Sequence, residues 1–335
     1  MNEQFFYGHG KLLLTGEYFV LDGARSIALP TTLGQKMHVT YRPSNNPILH
    51  WKSYNTKSEC WLECKFELWH FDCLKKSDKE KEEIIVLQEI LRQARKQNIH
   101  FLRDHCDVLV ETSLEFDREW GLGSSSSLIY NIAQWAYISP YELLSKTFGG
   151  SGYDIACAQS MGPITYQLKS RGPHWETTNL ALPFKDKLYF IHLNKKQNTR
   201  EGIQRYNDLK NEDNAEIISK ITEISDKILE CKDYSEFNDL IFEHENLVSL
   251  VLDMPRIFDK EFSDYWGAVK SLGAWGGDFA LVSSDKSFEE TQEYFSTRGY
   301  SKILKYDELI LQNFEKYGEV RIETLEDMNH GSNLS

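Results

Sequence analysis

The most constraining feature of this 335-residue chain is a glycine- and serine-rich stretch, residues 120–127 (WGLGSSSS), followed directly by an apolar segment, residues 128–136 (LIYNIAQWA). Glycine adopts dihedral angles that other residues avoid, and it lets a ligand approach the main chain. Serine is a common helix N-cap, and a helix N-terminus presents free N–H groups and partial positive charge to an anion. The stretch therefore predicts a phosphate-binding loop that opens a helix. A polar linker before a capped helix is the alternative.

Two familiar nucleotide-binding patterns do not fit this stretch. A P-loop requires a lysine after its second glycine, and none follows here. A dinucleotide fingerprint requires a third glycine where Ser126 stands, and the preceding residues 116–120 (FDREW) are a poor strand. Any phosphate site here must therefore follow another pattern.

Two more glycine-bearing stretches and the N-terminal segment carry candidate chemistry. Asp154, in residues 149–156 (GGSGYDIA), follows a glycine turn. Its carboxylate is a candidate to accept a proton from an attacking hydroxyl, and a helix cap is the alternative. Lys11 precedes a short apolar strand and Glu17 follows a Thr-Gly turn. Lys11 is either a surface residue or the partner of a carboxylate. The third stretch is residues 270–282 (KSLGAWGGDFALV).

The apolar spacing indicates a mixture of helices and strands. Apolar residues recur at helical spacing over residues 80–98 and 217–228, and residues 236–252 suggest a further helix. Strand-like runs lie at residues 11–14, 37–41, 108–111, 187–193 and 279–283. Because no strict βαβ repeat is present, we expect an α+β fold. A turn at residues 183–187 (PFKDK) predicts two domains, residues 1–180 and 181–335.

The charge balance limits the partners of the chain. It has 38 Lys and Arg against 51 Asp and Glu, a net charge of −13, which argues against a nucleic-acid or anionic-membrane footprint. No targeting pattern opens the chain, and no apolar run approaches the ~20 residues of a membrane span. The six cysteines form no C-x-x-C pair. We therefore expect a cytoplasmic protein with free thiols. The sequence gives no indication of the oligomeric state.

Together these stretches resemble the GHMP small-molecule kinase superfamily, named for galactokinase, homoserine kinase, mevalonate kinase and phosphomevalonate kinase. Four segments resemble its motifs in family order: residues 10–21 (GKLLLTGEYFVL), 121–127 (GLGSSSS), 152–156 (GYDIA) and 270–282. The resemblance implies an α+β fold of two domains, an N-terminal ATP-binding domain with a left-handed β-α-β unit and a C-terminal ferredoxin-like domain. The active site would lie between them.

The resemblance also implies roles for individual residues in phosphoryl transfer from ATP with Mg²⁺ to a small anionic or hydroxylated substrate. Asp154 matches the catalytic aspartate, and Lys11 matches the lysine near the reacting hydroxyl, with Glu17 beside it on the substrate side. Ser125 matches the magnesium-contacting serine, in a register left open by one within the four serines. Glu142, the only acidic residue between positions 128 and 153, is the candidate for a second magnesium ligand. The residues expected to bind the phosphates are Gly121, Leu122, Gly123, Ser124, Ser125 and Ser126.

The acceptor is indicated by two segments. The G-E-Y-x-V-L form of the first motif favours mevalonate and phosphomevalonate kinases, and the sugar-recognition signature of a galactokinase is absent. In residues 195–200 (KKQNTR), Lys195, Lys196 and Arg200 are candidates to bind a substrate carboxylate or phosphate. An exposed basic loop is the alternative.

Departures from the family pattern keep other functions open. Glu119 and Trp120 precede the glycines where the family usually has proline and small residues, and Trp275 and Asp278 interrupt the C-terminal glycine motif. Bulk and negative charge there would reshape the acceptor pocket or weaken phosphate contacts. A diphosphomevalonate decarboxylase-like enzyme and a non-catalytic ligand-binding protein are the alternatives to a kinase.

Overall fold

The computed structural model describes residues 2–75, 80–195, 199–210, 214–273 and 275–312, with the backbone alone at 199 and 200. The strands are β1 (Asn2–Leu13), β2 (Ser26–Pro43), β3 (Ile48–Tyr54), β4 (Cys60–Glu67), β5 (Cys106–Leu114), β6 (Ile164–Lys169), β7 (Gly172–Thr177), β8 (Leu188–His192), β9 (Val269–Leu272), β10 (Phe279–Ser283) and β11 (Ile303–Lys305). The helices are α1 (Glu82–Gln97), α2 (Ser124–Ala136), α3 (Pro140–Thr147), α4 (Tyr153–Gln159), α5 (Thr199–Leu209), α6 (Asn214–Glu230), α7 (Tyr234–Leu252), α8 (Ile257–Glu261), α9 (Phe288–Ser296) and α10 (Tyr306–Leu309).

Seven strands of the described chain form the first sheet. Its order is β4-β3-β5-β2-β6-β7, and β1 pairs with β2 as well. β2 is the spine of this sheet, because it pairs antiparallel with β1 along most of its length, with β5 at one end and with β6 at the other. β3 and β5 run parallel. Apolar side chains of α1, α2 and α3 pack against β2–β5 in one core, including Leu87, Leu91, Ile129, Leu143 and Val110.

The second sheet contains four of the described strands, in the antiparallel order β11-β8-β10-β9. Every residue of β8 and β10 is buried, because both faces are covered. On one face, Phe190 and Leu281 pack with Ile228 of α6 and Phe237 of α7. The same core includes Leu12 of β1, so the two sheets share a continuous apolar contact. The candidate site lies beside this contact.

The α+β expectation is confirmed, and the predicted helices at 80–98, 217–228 and 236–252 correspond to α1, α6 and α7. The five predicted strand runs overlap β1, β2, β5, β8 and β10, and the runs 11–14 and 187–193 extend one residue beyond the observed strand ends. The change from one sheet to the other falls between Thr177 and Leu188, and the boundary near residue 180 stays a prediction. All six cysteines are free. In the part of the chain that the structure describes, helices long and apolar enough to span a membrane are absent.

Candidate active site

The glycine–serine stretch forms a tight loop, residues 121–126, that we call the candidate phosphate loop. A short 3₁₀ helix (Arg118–Trp120) precedes it, and Gly121 and Gly123 have φ angles of +66° and +90°. A Cβ on Gly121 would lie 2.3 Å from Cγ of Asp278, and one on Gly123 would lie 2.7 Å from Oγ of Ser126. Glycine is therefore required at both positions, by backbone conformation and by space.

The loop leads directly into the N-terminus of α2. Its N-cap residue is Gly123, and no side chain caps the first turn. This differs from the expected serine cap, because all four serines lie inside the helix. The hydroxyls of Ser126 and Ser127 donate to the Gly123 carbonyl over 2.9 and 3.1 Å. Ser124, the exposed Ser125 and Ser126 line a cavity. Among the described residues, no side chain accepts from the first-turn N–H groups, as an anion-binding helix terminus requires.

Lys11 of β1 is tied to this loop at two points. Its main-chain N–H donates to the Leu122 carbonyl over 2.9 Å, and its ammonium donates to the Gly121 carbonyl, also over 2.9 Å. The side chain of Leu122 is fully buried, so this residue contributes its main chain rather than its side chain. The strand and the loop therefore hold the Lys11 ammonium in a fixed position.

A tyrosine and two carboxylates near Lys11 keep it charged. Burial disfavours the ammonium form, but interactions with Tyr153, Asp278 and Asp154 outweigh this effect and raise the pKa of Lys11 above its ordinary value. Its Nζ lies 5.8 Å from the centre of the Tyr153 ring. A lysine with a raised pKa is fully protonated at neutral pH, so it offers a permanent positive charge.

Asp154 lies in the first turn of α4, and Gly152, with φ +86°, is the N-cap residue of that helix. Asp154 therefore does not serve as the N-cap. Its Oδ1 accepts from the Ile155 N–H over 3.0 Å. Burial raises the pKa of Asp154, while the Lys11 charge and hydrogen bonds, one of them from Ser126, oppose the rise. A carboxylate with a raised pKa beside a fixed cation is suited to accept a proton from a hydroxyl.

These groups meet in one cavity of about 340 Å³. Its walls are the candidate phosphate loop, residues 149–151, and residues 273 and 278 of the segment 273–278, which we call the glycine loop. Apolar side chains such as Leu13, Val20 and Ile203 complete it. The predicted site residues that line this cavity are Lys11, Glu17, Gly121, Gly123, Ser124, Ser125, Ser126 and Asp154.

Besides Leu122, two described residues of the predicted site are not among those that line the cavity, Glu142 and Lys195. Glu142 is exposed in the first turn of α3, where its N–H donates to Oγ of Ser139 over 3.3 Å. Lys195 is exposed, and its carbonyl accepts from the Asp278 N–H over 2.8 Å. Lys196 lies outside the described residues, as does the side chain of Arg200. The substrate-binding roles of the basic segment stay predictions.

Glu17 lines the cavity, but its carboxylate belongs to an interior ion cluster. It is 1% exposed, and its Oε1 accepts from Nζ of Lys270 over 2.6 Å. Lys270 also donates to Glu245 over 3.3 Å, and Nε2 of His244 accepts from the Gly16 N–H over 2.9 Å. Burial raises the pKa of Glu17 to about 7 against the attraction of Lys270. Burial also lowers the pKa of His244 well below its ordinary value, so this imidazole is neutral.

The two departures inside the glycine loop have different outcomes. Trp275 is 4% exposed and packs with Tyr18 and Tyr206, and its Nε1 donates to Glu245 over 3.3 Å. Asp278 instead lines the cavity. Its carboxylate lies against Gly121, at the position that a Cβ atom of that residue would occupy. The side chain of Trp275 therefore packs in the core and does not fill the cavity, whereas the carboxylate of Asp278 lies next to the candidate phosphate loop.

Among the lining residues that sequence reasoning missed are two tyrosines and an arginine, Tyr18, Tyr153 and Arg118. Tyr18 and Tyr153 stand next to the predicted residues Glu17 and Asp154, and this adjacency is the signal that points to them. Nothing in the sequence singles out Arg118, which lies in the segment read only as a poor strand.

The oxygen ligands available around the cavity fit a magnesium ion that is bound together with a nucleotide. Within the described ranges, no group of three or more His, Cys, Asp or Glu side chains is arranged to hold a metal ion. Mg²⁺ at nucleotide sites typically uses one or two carboxylates together with phosphate oxygens and water. The cavity wall offers the carboxylates of Asp154 and Asp278 and the hydroxyl of Ser125, which are donors of this kind.

No protein-family model matches the chain, and no curated protein matches it by sequence. Solved structures match its fold. The mevalonate kinase of Methanococcus jannaschii aligns with a TM-score of 0.67 and 16% identity over 93% of this chain and 99% of that chain. The Streptococcus pneumoniae phosphomevalonate kinase, in complex with phosphomevalonate and AMPPNP, gives 0.65 and 14% over 90% and 99%. The Lactococcus lactis galactokinase, complexed with galactose, gives 0.63 and 11% over 93% and 94%. The chain therefore has the GHMP kinase superfamily fold, as the motif order predicts.

Proposed function

We propose that this protein is a GHMP-type small-molecule kinase that transfers a phosphoryl group from ATP, with Mg²⁺, to a small anionic acceptor. The observation that carries the proposal is the position of Lys11 and Asp154 on one cavity wall beside the candidate phosphate loop. A fixed cation, a carboxylate of raised pKa and a helix terminus without a side-chain cap share one space. Phosphoryl transfer needs these groups, because its catalysis consists mainly of positioning and charge stabilisation.

The residues of the chain would divide this work. The first turn of α2 would bind the phosphates through its N–H groups. Lys11, held by the Gly121 carbonyl, would stabilise negative charge on the reacting oxygens. Asp154 would orient the acceptor hydroxyl and take its proton at a carboxylate oxygen. Ser125 and Asp278 would hold Mg²⁺ together with Asp154, and the bound metal ion neutralises phosphate charge.

As the acceptor we propose mevalonate or phosphomevalonate. Structural neighbours of the fold include a mevalonate kinase and a phosphomevalonate kinase solved with phosphomevalonate. The G-E-Y-x-V-L motif favours the same acceptors, and both molecules carry a carboxylate that a basic segment such as residues 195–200 suits. The similarity to a galactokinase makes galactose the competing acceptor to be tested.

A coupled assay of ADP formation tests the proposal. The acceptors are mevalonate, phosphomevalonate, galactose and homoserine, each with and without Mg²⁺. We expect Mg²⁺-dependent turnover with mevalonate or phosphomevalonate. ATP binding without turnover of any acceptor would contradict the kinase and favour a ligand-binding protein. Diphosphomevalonate is added as a separate substrate, and release of CO₂ from it would favour the decarboxylase.

A further inference from the structure

Beside the candidate phosphate loop, the guanidinium of Arg118 lies over the indole of Trp61. Its Cζ is 3.7 Å from the centre of the ring, which is the geometry of a stacked cation–π pair. Trp61 belongs to β4 and packs against the main core of the first sheet, so the indole is a fixed support. The indole Nε1 is buried and has no hydrogen-bond partner among the described residues, so Trp61 acts here through its ring face.

Arg118 is not held by a strong ion pair. The nearest carboxylate contact that the structure describes is Glu83, with 3.9 Å between Nη2 and Oε1 and both side chains partly exposed. Exposed pairs of this kind contribute little. Of the described residues that line the cavity, only Arg118 and Lys11 are basic, and the Lys11 ammonium already donates to the Gly121 carbonyl. Arg118 is therefore a cation available to a ligand.

The position of Arg118 decides which part of a nucleotide it meets. Asp154, at the reacting end, lies beside Lys11 and Ser126, whereas the contacts of Arg118 are with Trp61 of β4 and Glu83 of α1, neither of which is among the residues that line the cavity. Arg118 therefore lines the cavity from the side of β4 and α1. In ATP the base lies at the end opposite the transferred phosphoryl group. A guanidinium with one face on an indole presents its other face as a flat surface, and guanidinium planes stack well on bases.

We propose that Arg118, supported by Trp61, stacks on the nucleobase and is a specificity residue for the nucleotide. The proposal rests on the proposed function, because it assigns the base of the same ATP. It also distinguishes Trp61 from Trp69, which likewise has an arginine near its ring. Trp69 is 57% exposed and is not among the residues that line the cavity, although Arg103 lies 5.8 Å from its ring centre.

The test measures equilibrium binding of ATP, adenosine and tripolyphosphate to the full chain. Arg118→Met removes both the planar guanidinium group and its positive charge. Arg118→Lys keeps the positive charge but removes the planar group. We expect both variants to bind ATP and adenosine roughly fivefold to a hundredfold more weakly, the range of stacking contributions, and to bind tripolyphosphate as the wild type does. Arg103→Met is the matched control, because it removes the other Arg–Trp pair, and all three affinities should stay unchanged.

Three results would overturn the base assignment. If Arg118→Lys binds ATP normally and Arg118→Met weakens tripolyphosphate, the residue contacts phosphate. If adenosine binding is unchanged in both variants while the wild type phosphorylates an acceptor, the stacking proposal fails and the proposed function stands. If the wild type binds neither ATP nor tripolyphosphate, both fail. Folding is checked by the circular dichroism of each variant, and Trp61→Phe, which keeps an aromatic support, should weaken adenosine less than Arg118→Met does.

Discussion

Two clusters of charged side chains lie inside this fold, one around Lys11 and one around Lys270. Lys11 is half-buried in the cavity wall, with Asp154 near its ammonium. Lys270 is fully buried and contacts Glu17 and Glu245 over 2.6 and 3.3 Å. Both clusters combine one lysine with carboxylates, so their composition is nearly the same.

The two clusters differ in whether a ligand can reach them. The Lys11 cluster lies on the cavity wall, and we call it the open cluster; the Lys270 cluster is buried, and we call it the sealed cluster. A charge on a cavity wall can be neutralised by a ligand, so the Lys11 cluster can serve chemistry. A sealed cluster must balance its own charge, because burying an unpaired ion costs several kcal/mol. The Lys270 cluster accordingly joins the loop after β1 to α7 and β9. The same residue types therefore support catalysis in one place and attach two parts of the chain in the other.

The largest effect is expected from the open cluster. Asp154→Asn keeps the size of the side chain but removes its charge, so kcat should fall by about 10²–10⁴. The thermal midpoint should change little, because Gly152 and not Asp154 is the N-cap of α4. Steady-state kinetics measure the change in kcat, and thermal unfolding measures the midpoint.

Lys11→Met should also lower kcat, and the effects of the two substitutions should be less than additive in the double variant. Activity within a few-fold of wild type in Asp154→Asn would exclude it as the base.

In the sealed cluster the expected loss is stability. Lys270→Met leaves Glu17 and Glu245 as uncompensated buried carboxylates, so the free energy of unfolding should fall by about 3–5 kcal/mol. Urea unfolding measures it. Lys220→Met is the matched control, because Lys220 pairs with Glu216 on the surface of α6 over 2.6 Å and exposed pairs contribute little. Equal effects of the two substitutions would contradict the comparison.

A smaller effect concerns the pH dependence of the sealed cluster. The pKa of Glu17 is about 7 in the fold against an ordinary 4.5. A group whose pKa is raised by folding contributes stability below its unfolded value and loses that contribution as pH rises through the folded value. At roughly 1.4 kcal/mol per pKa unit, the difference between 4.5 and 7 corresponds to about 3 kcal/mol.

Glu17→Gln should remove this dependence. The wild type should therefore gain unfolding free energy relative to Glu17→Gln as the pH falls from 8 to 5, by up to about 3 kcal/mol. Urea unfolding of both proteins across this range measures the difference. A difference that does not vary with pH would show that Glu17 stays ionised in the fold.

The residues of the open cluster can be predicted from the sequence, and those of the sealed cluster cannot. Lys11, the glycine–serine loop and Asp154 each lie in a short motif, and the order of the motifs indicates that they share a site. The helices α1 and α6 were predictable because each buries one face, so the apolar spacing is preserved in the sequence. Local patterns of this kind carry their own signal.

Contacts between distant segments carry no such signal. Glu17 and Lys270 are 253 positions apart, and no spacing rule predicts that a glutamate six residues after Lys11 pairs with the other sheet. Asp278 against Gly121 likewise depends on how the two sheets pack, and Arg118 over Trp61 depends on how distant segments of the first sheet come together. The serine cap was expected from propensity, but the positive φ of Gly123 places the glycine at the N-cap instead.

The smallest expected effects are on Mg²⁺-dependent ATP binding. Here a residue that lines the cavity can be compared directly with a residue on the surface. Ser125 lines the cavity, whereas Glu142 is exposed in α3 and is not among its lining residues. Binding of ATP with and without Mg²⁺ measures the benefit of the metal as a ratio of affinities. Ser125→Ala should lower this ratio by roughly twofold to tenfold, the cost of about one hydrogen bond. Glu142→Gln should leave it within twofold, because a carboxylate that does not reach the phosphates cannot share their metal ion. A larger loss in Glu142→Gln than in Ser125→Ala would mean that α3 moves over the cavity when the nucleotide binds, and it would return Glu142 to the magnesium site that the family resemblance implies for it.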